Sequence, residues 1–196
     1  MERNYLSAAY ITHALLKRWL AEPPLDSSLR HIVFTASTAA LVSVPGYAAY
    51  APTKAATRAL ADTLRQEVLL YQSQQDIRIH CTFPGTIYTE SFWQEQAKKP
   101  ALCKELEGSD KEGSGLSAKR VAEEIISGLK HGHFFITMDG ETALLLNNMR
   151  GPSPRDSPVW DWLVGLLASL IWPIYRMKFD RKTIKYGKNL ISKGRK

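Results

Sequence analysis

Residues 31–71 read HIVFTASTAALVSVPGYAAYAPTKAATRALADTLRQEVLLY, and the change of period within them decides the fold. HIVFTAS (31–37) is a short β-branched and aromatic run that reads as a buried strand. Residues 49–71 are rich in Ala and Leu and read as a helix, with Pro52 tolerable only in its first turn. Downstream, IRIHCTF (77–83), closed by Pro84 and Gly85, reads as a second strand and FFITM (134–138) as a third. Residues 117–130 between them form a helix with Ser117 as its N-cap and Gly132 just beyond its end. Upstream, NYLSAAYITHALLKRWL (4–20) carries apolar residues at helical spacing until EPPLDSS (22–28) breaks it. Strand and helix alternating at such intervals predict an α/β fold, a parallel sheet covered by helices on both faces.

The 196 residues suffice for one domain with a real core. The net charge of +7 suggests a nucleic-acid binder until its placement is examined. Residues 176–196 hold nine Lys or Arg and one acid, Asp180, a net of +8, so the other 175 residues carry 17 basic and 18 acidic side chains, a net of −1. A neutral body with a basic tail points to an anionic surface and away from nucleic acid. Cys81 and Cys103 have no metal-ligand spacing and read as idle thiols of a reducing compartment. MERNYLSAAY has no basic stretch followed by an apolar run, so it does not read as a signal peptide.

Tyr50 and Lys54, at i and i+4, share one helix face. A free tyrosine titrates near pKa ~10, and a fixed ammonium nearby favours its phenolate, which eases proton exchange with a carbonyl or alcohol oxygen. Ser37, at the end of the preceding strand, could bond the same oxygen. Spacing alone equally allows a turn-capping Ser37, a half-buried Tyr50 and a solvated Lys54. Residues 86–115 form a polar segment that reads either as a surface loop with a short helix or as a lid over the carboxyl end of the second strand.

Together, IVFTAST, GYAAYAPTKAATRALADTLRQE, CTFPGTIYT and NYLSAAY resemble the catalytic half of a short-chain dehydrogenase/reductase over residues 4 to about 140. The resemblance implies the C-terminal part of a Rossmann-type doubly wound parallel sheet. By it, Tyr50 is the general acid that protonates a ketone, and Lys54 lowers the Tyr50 pKa and binds the nicotinamide ribose. Ser37 polarises the carbonyl, and Asn4 holds a relay water. Pro84, Gly85, Ile87 and Thr89 flank the nicotinamide. Tyr47 competes with Tyr50, but the residue four beyond it is Ala51, which cannot replace the lysine. Within the superfamily, NYLSAAY, VPGYAAYAPTKAATRALADTLRQE and FPGTIYTESF are most similar to the 3-ketodihydrosphingosine reductases. That subfamily implies NADPH, a long-chain lipid ketone, and the endoplasmic reticulum membrane with the catalytic part facing the cytosol. Other lipid or steroid ketones are alternatives, as is a non-catalytic, membrane-bound truncated paralogue. The helix at 49–71 offers a face for a homo-oligomer.

The Gly-rich turn that holds a dinucleotide pyrophosphate at a helix N-terminus is missing, since the first glycine is Gly46. Gly108, Gly113 and Gly115 lack a phosphate-loop pattern and read as a flexible turn. The chain is therefore expected to begin inside the fold, to leave one strand edge and one core face uncovered, and to be inactive alone. Residues 1–150 read as a partial Rossmann-type catalytic domain, and 151–196 as a hydrophobic membrane-associated helix with a basic tail. In SPVWDWLVGLLASLIWPIYRMKF (157–179), Trp160, Trp162, Trp172 and Tyr175 sit at the two ends of the apolar stretch, which suits a bilayer interface. The stretch is short of the ~20 apolar residues of a simple span, which favours a re-entrant or interfacial segment.

Overall fold

The computed structural model describes residues 1–23, 29–109, 113 and 115–194. Most of the expected break at 22–28, residues 110–112 and 114 of the expected flexible turn and the last two residues of the basic tail lie outside the described residues. A π-helical turn, Glu2–Leu6, leads into α1 (Ser7–Ala21). Then follow β1 (Arg30–Thr35), α2 (Ala51–Glu67), β2 (Ile77–Phe83), β3 (Ile87–Tyr88), α3 (Glu90–Lys98), α4 (Ala101–Glu107) and β4 (Leu116–Ser117). The chain continues through α5 (Ala118–Lys130), β5 (Phe135–Thr137), α6 (Gly140–Met149) and α7 (Pro158–Gly194).

β1, β2 and β5 form a parallel sheet in that order, and β3 pairs with β4 in a separate parallel pair. The register sets Ile32 beside Ile79 and Phe34 beside Cys81, with Cys81 in turn beside Phe135. Because strand side chains alternate, these residues share one face. There they are buried together with Ala61 of α2 and Leu145 and Leu146 of α6, while Ala8 and Leu16 of α1 pack against them. On the other face Ile136 and Met138 meet Val121 of α5. Gly128 of α5 lies so close that a Cβ there would stand 2.7 Å from the Ile136 side chain. Both faces of the β5 end are thus covered, as the alternation of elements predicts. Along the outer edge of β1 no strand is paired among the described residues, and a cavity of about 380 Å³ runs between α1 and His31–Thr35.

Several details differ from the sequence reading, each for a local reason. The helix expected over 49–71 is α2 followed by a tight 3₁₀ turn, Val68–Tyr71. The polar segment after β2 holds two helices. Thr89 caps α3 by accepting the Phe92 N–H at 3.2 Å, and Pro100 precedes α4. Helices of 9 and 7 residues complete too few turns to show a period. α6, also unanticipated, starts at Asp139, whose carboxylate accepts the Thr142 N–H at 2.7 Å. Ser117 caps α5 through the Arg120 N–H at 3.2 Å, as expected.

α7 runs unbroken for 37 residues through Pro173 and lies along the body. Asp161 meets Arg150 at 2.7 Å, with side chains only 12% and 4% exposed. Ala168 is buried and Trp172 packs on the main core. Phe179 and Tyr186 pack on a second cluster made by Val44, Leu102, Cys103 and Leu106. The opposite face exposes Trp160, Leu163, Leu167, Leu170 and Ile174. By length and composition α7 is the one candidate membrane segment among the described residues.

His80 is buried on β2, its Nδ1 2.6 Å from the His133 carbonyl and its Nε2 2.9 Å from His31 Nδ1. A carbonyl only accepts, so His80 Nδ1 carries the proton and Nε2 accepts from His31. Burial holds His80 below the ordinary histidine pKa of 6.5, against the pull of the His133 carbonyl. The unfolded chain then binds this proton more readily, so stability falls as the pH drops below 6.5. Thermal melts from pH 7.5 to 5 are expected to show a declining Tm, and His80→Gln to flatten that decline.

Candidate active site

The site forms where β1 ends and α2 begins, at the carboxyl edge of the sheet where such folds bind ligands. Gly46 takes φ +101°, a conformation open mainly to glycine, and an added Cβ would stand 3.2 Å from Cys103 Sγ. The turn it makes carries Tyr47 and Tyr50 in against α4. Tyr50 is the N-cap residue of α2 and Pro52 lies within the first turn, where its missing N–H costs nothing.

Lys54 reaches back from α2 and donates to the Thr35 carbonyl at 2.9 Å. Its ammonium also stands 5.7 Å from the centroid of the Tyr50 ring. Ser37 is buried beyond the end of β1, where its hydroxyl accepts the Ala39 N–H at 3.2 Å. Asn4, in the π-helical turn, donates to Thr53 Oγ1 at 3.0 Å, and the Thr53 hydroxyl donates to the Tyr50 carbonyl at 2.7 Å. Single π-type turns recur at functional sites because they re-aim one side chain. A cleft of about 490 Å³ opens beside Asn4 and Thr53. Tyr50 and Lys54 are therefore brought together at the end of β1, with Ser37 just beyond it, and Asn4 is tied to the Tyr50 backbone through Thr53.

The remaining expected residues are more dispersed. Pro84 is buried, and its carbonyl accepts the Thr38 N–H at 3.1 Å, which holds Pro84 and Gly85 next to the turn after Ser37. Ile87 packs its side chain on the Val121, Ile136 and Met138 cluster. Thr89 spends its hydroxyl on the α3 cap.

Burial raises the Tyr50 pKa above that of an ordinary tyrosine, against the lowering effect of the Ser37 hydroxyl. Glu95 and Glu107 push it further up and Lys99 pulls it down. The expected lowering by Lys54 is not the dominant effect in this state. Lys54 itself is lowered by burial. A phenol that keeps its proton at neutral pH is suited to act as an acid.

Sequence reading missed the group next to Tyr50. Tyr47 lies with its ring centroid 5.4 Å from that of Tyr50 and hydrogen-bonds Glu107. Lys99 Nζ donates to Tyr47 Oη at 2.9 Å and to Glu107 at 2.7 Å, and it pairs with Glu95 at 2.9 Å. The i,i+4 spacing of Glu95 and Lys99 is visible in the sequence, but their link to Tyr47, 52 residues from Lys99, is not.

Among known proteins, the chain is similar to a PIGF/3-ketodihydrosphingosine reductase fusion protein of Schizosaccharomyces pombe, 37% identical over 95% of this chain and 36% of that one. It is 40% identical to the 3-ketodihydrosphingosine reductase ksrA of Aspergillus fumigatus, over 95% of this chain and 54% of the relative. The chain thus spans about half or less of the length of these relatives. A crystal structure of a short-chain dehydrogenase from Streptomyces avermitilis shares the fold, with a TM-score of 0.55, 21% identity and coverage of 73% of this chain and 52% of that one. Residues 1–100, more than half of the chain, match the short chain dehydrogenase family, and the protein belongs to that family.

Proposed function

We propose that this chain is the proton-donating half of a membrane-associated, NADPH-dependent reductase that converts the 3-keto group of 3-ketodihydrosphingosine to an alcohol. The observation that supports this reading is the position of Lys54 over the Tyr50 ring at the end of β1, with Ser37 just beyond that strand and Asn4 tied to the same helix turn through Thr53. The names of the similar proteins support the substrate class.

The donor set fits the nicotinamide ribose end of a dinucleotide, with an ammionium-bearing Lys54 and a phenol on one helix face beside Pro84 and Gly85. When bound, that nucleotide supplies a hydride. Ser37 orients the substrate carbonyl with its hydroxyl, and Tyr50 donates its proton to the carbonyl oxygen. Lys54, fixed by the Thr35 carbonyl, holds the ribose and stabilises the phenolate that Tyr50 becomes. Asn4, fixed through Thr53, holds the water that returns a proton. No Gly-rich turn for the pyrophosphate occurs before Gly46, so the reaction requires a dinucleotide-binding unit in addition to these residues.

The outward apolar face of α7 and its ring residues support an in-plane membrane attachment at the endoplasmic reticulum, facing the cytosol. The basic residues of its second half would lie against anionic headgroups.

In a protein carrying a glycine-rich βαβ unit ahead of residue 1, encoded upstream or grafted from the Aspergillus relative, reduction of 3-ketodihydrosphingosine by NADPH is expected. Tyr50→Phe should cut that rate at least ~10²-fold and leave NADPH binding within about twofold, since the phenyl ring remains. Loss of nucleotide binding would show the role to be misassigned. The 196-residue chain alone is expected not to oxidise NADPH with this ketone. For attachment, vesicle flotation should recover the chain with bilayers, and Leu163→Glu combined with Leu167→Glu should leave it in the aqueous fraction.

A further inference from the structure

We propose that Lys99 is a second ammonium serving Tyr50, and that Glu107 and Tyr47 are the positioning residues that hold it there. The inference rests on the reading of Tyr50 as the proton donor. Lys99 follows α3, Glu107 ends α4, and Tyr47 belongs to the turn that delivers Tyr50. Three separate segments thus meet in one hydrogen-bonded group whose ammonium and carboxylate side chains are only 6% and 12% exposed.

A surface ion pair would tell little, being screened by water and salt. Here burial pulls the Lys99 pKa down, yet its hydrogen bonds to Glu107, Tyr47 and Glu95 outweigh that and hold it above an ordinary lysine. The charge is therefore permanent across the working pH range. Tyr47 is held above an ordinary tyrosine by burial and by its bond to Glu107, so it keeps its proton and stays a neutral link. The groups acting on the Tyr50 hydroxyl are then Ser37, Glu95, Lys99 and Glu107, with Lys54 over its ring. Of these charges, Lys99 is the cation that eases the loss of the Tyr50 proton, working against the larger push of Glu95 and the smaller one of Glu107, while Lys54 donates to the Thr35 carbonyl. Proton donation leaves Tyr50 negative, and a fixed positive charge nearby stabilises that product.

A purely mechanical clasp and an electrostatic partner predict opposite signs. Opening a clasp exposes Tyr50 and lets its high pKa relax downward in every variant. Removing a cation from beside it pushes that pKa higher. The measurement is the titration of Tyr50 by the 13Cζ resonance of labelled tyrosine in the full chain, assigned with Tyr50→Phe, without substrate or cofactor. Lys99→Met is expected to move the Tyr50 midpoint to higher pH, lowering the phenolate-to-phenol ratio about threefold or more at a fixed alkaline pH. Lys99→Arg should restore it, and Glu107→Gln should move it to lower pH. Tyr47→Phe, which keeps the ring and the Lys99–Glu107 pair, should speed amide exchange across residues 90–107 and leave β1 and β2 protected. Midpoints that fall in both Lys99→Met and Glu107→Gln, or that do not move, would overturn the assignment. Unchanged exchange in Tyr47→Phe would overturn the positioning role. A reductase that stayed active as Tyr50→Phe would instead sink the functional reading, and the midpoints would stand apart from it.

Discussion

The bond from Lys54 to the carbonyl of Thr35 is the constraint on which the rest of the site depends. It ties the first turns of α2 to the last residue of β1, two elements separated in the chain by a stretch that must turn back on itself. With that tie in place, Ser37 just beyond the strand and Tyr50 at the start of the helix have little choice but to converge. The half-buried ammonium gains a full hydrogen bond from the tie, which offsets part of its desolvation.

Around this junction the sheet supplies rigidity and the turns supply aim. Parallel pairing of β1 with β2 fixes the strand ends in register, so the segments leaving them, Ala36–Ser37 and Pro84–Gly85, emerge side by side. The Thr38 N–H to Pro84 carbonyl bond then joins them directly. Gly46 lets the chain approach α4 closely enough for the Tyr47 hydroxyl to enter the Lys99–Glu107 pair. The Tyr47, Lys99 and Glu107 side chains taken from water here find partners in one another, as a low-dielectric site demands, whereas the buried Thr82 hydroxyl on β2 has none among the described residues.

Much of this was legible beforehand because it is written in local patterns. The strands read at 31–37, 77–83 and 134–138 follow from short β-branched and aromatic runs, and the helix containing Tyr50 and Lys54 from its Ala- and Leu-rich run, with Pro and Gly as punctuation. Residues that act through local geometry, such as Ser117 at its cap, were also accessible. What escaped depends on tertiary meeting. Thr53 is an ordinary helix residue until Asn4 arrives from 49 positions away, and Tyr47 looked idle because its partners lie on helices too short to show a period. The direction of the Tyr50 perturbation escaped as well, because spacing reports the nearest charge but not the depth of burial.

α7 has a mechanical consequence. Its 37 residues make a rod ~55 Å long at 1.5 Å per residue. The rod is pinned at Asp161 to Arg150, at Trp172 to the sheet's main core, and at Phe179 and Tyr186 to the cluster under α4. The sheet carries the Lys54–Thr35 tie, and α4 carries Glu107. One continuous splint therefore spans the sheet and the cluster beneath α4, so the body is braced along most of its length by a single helix.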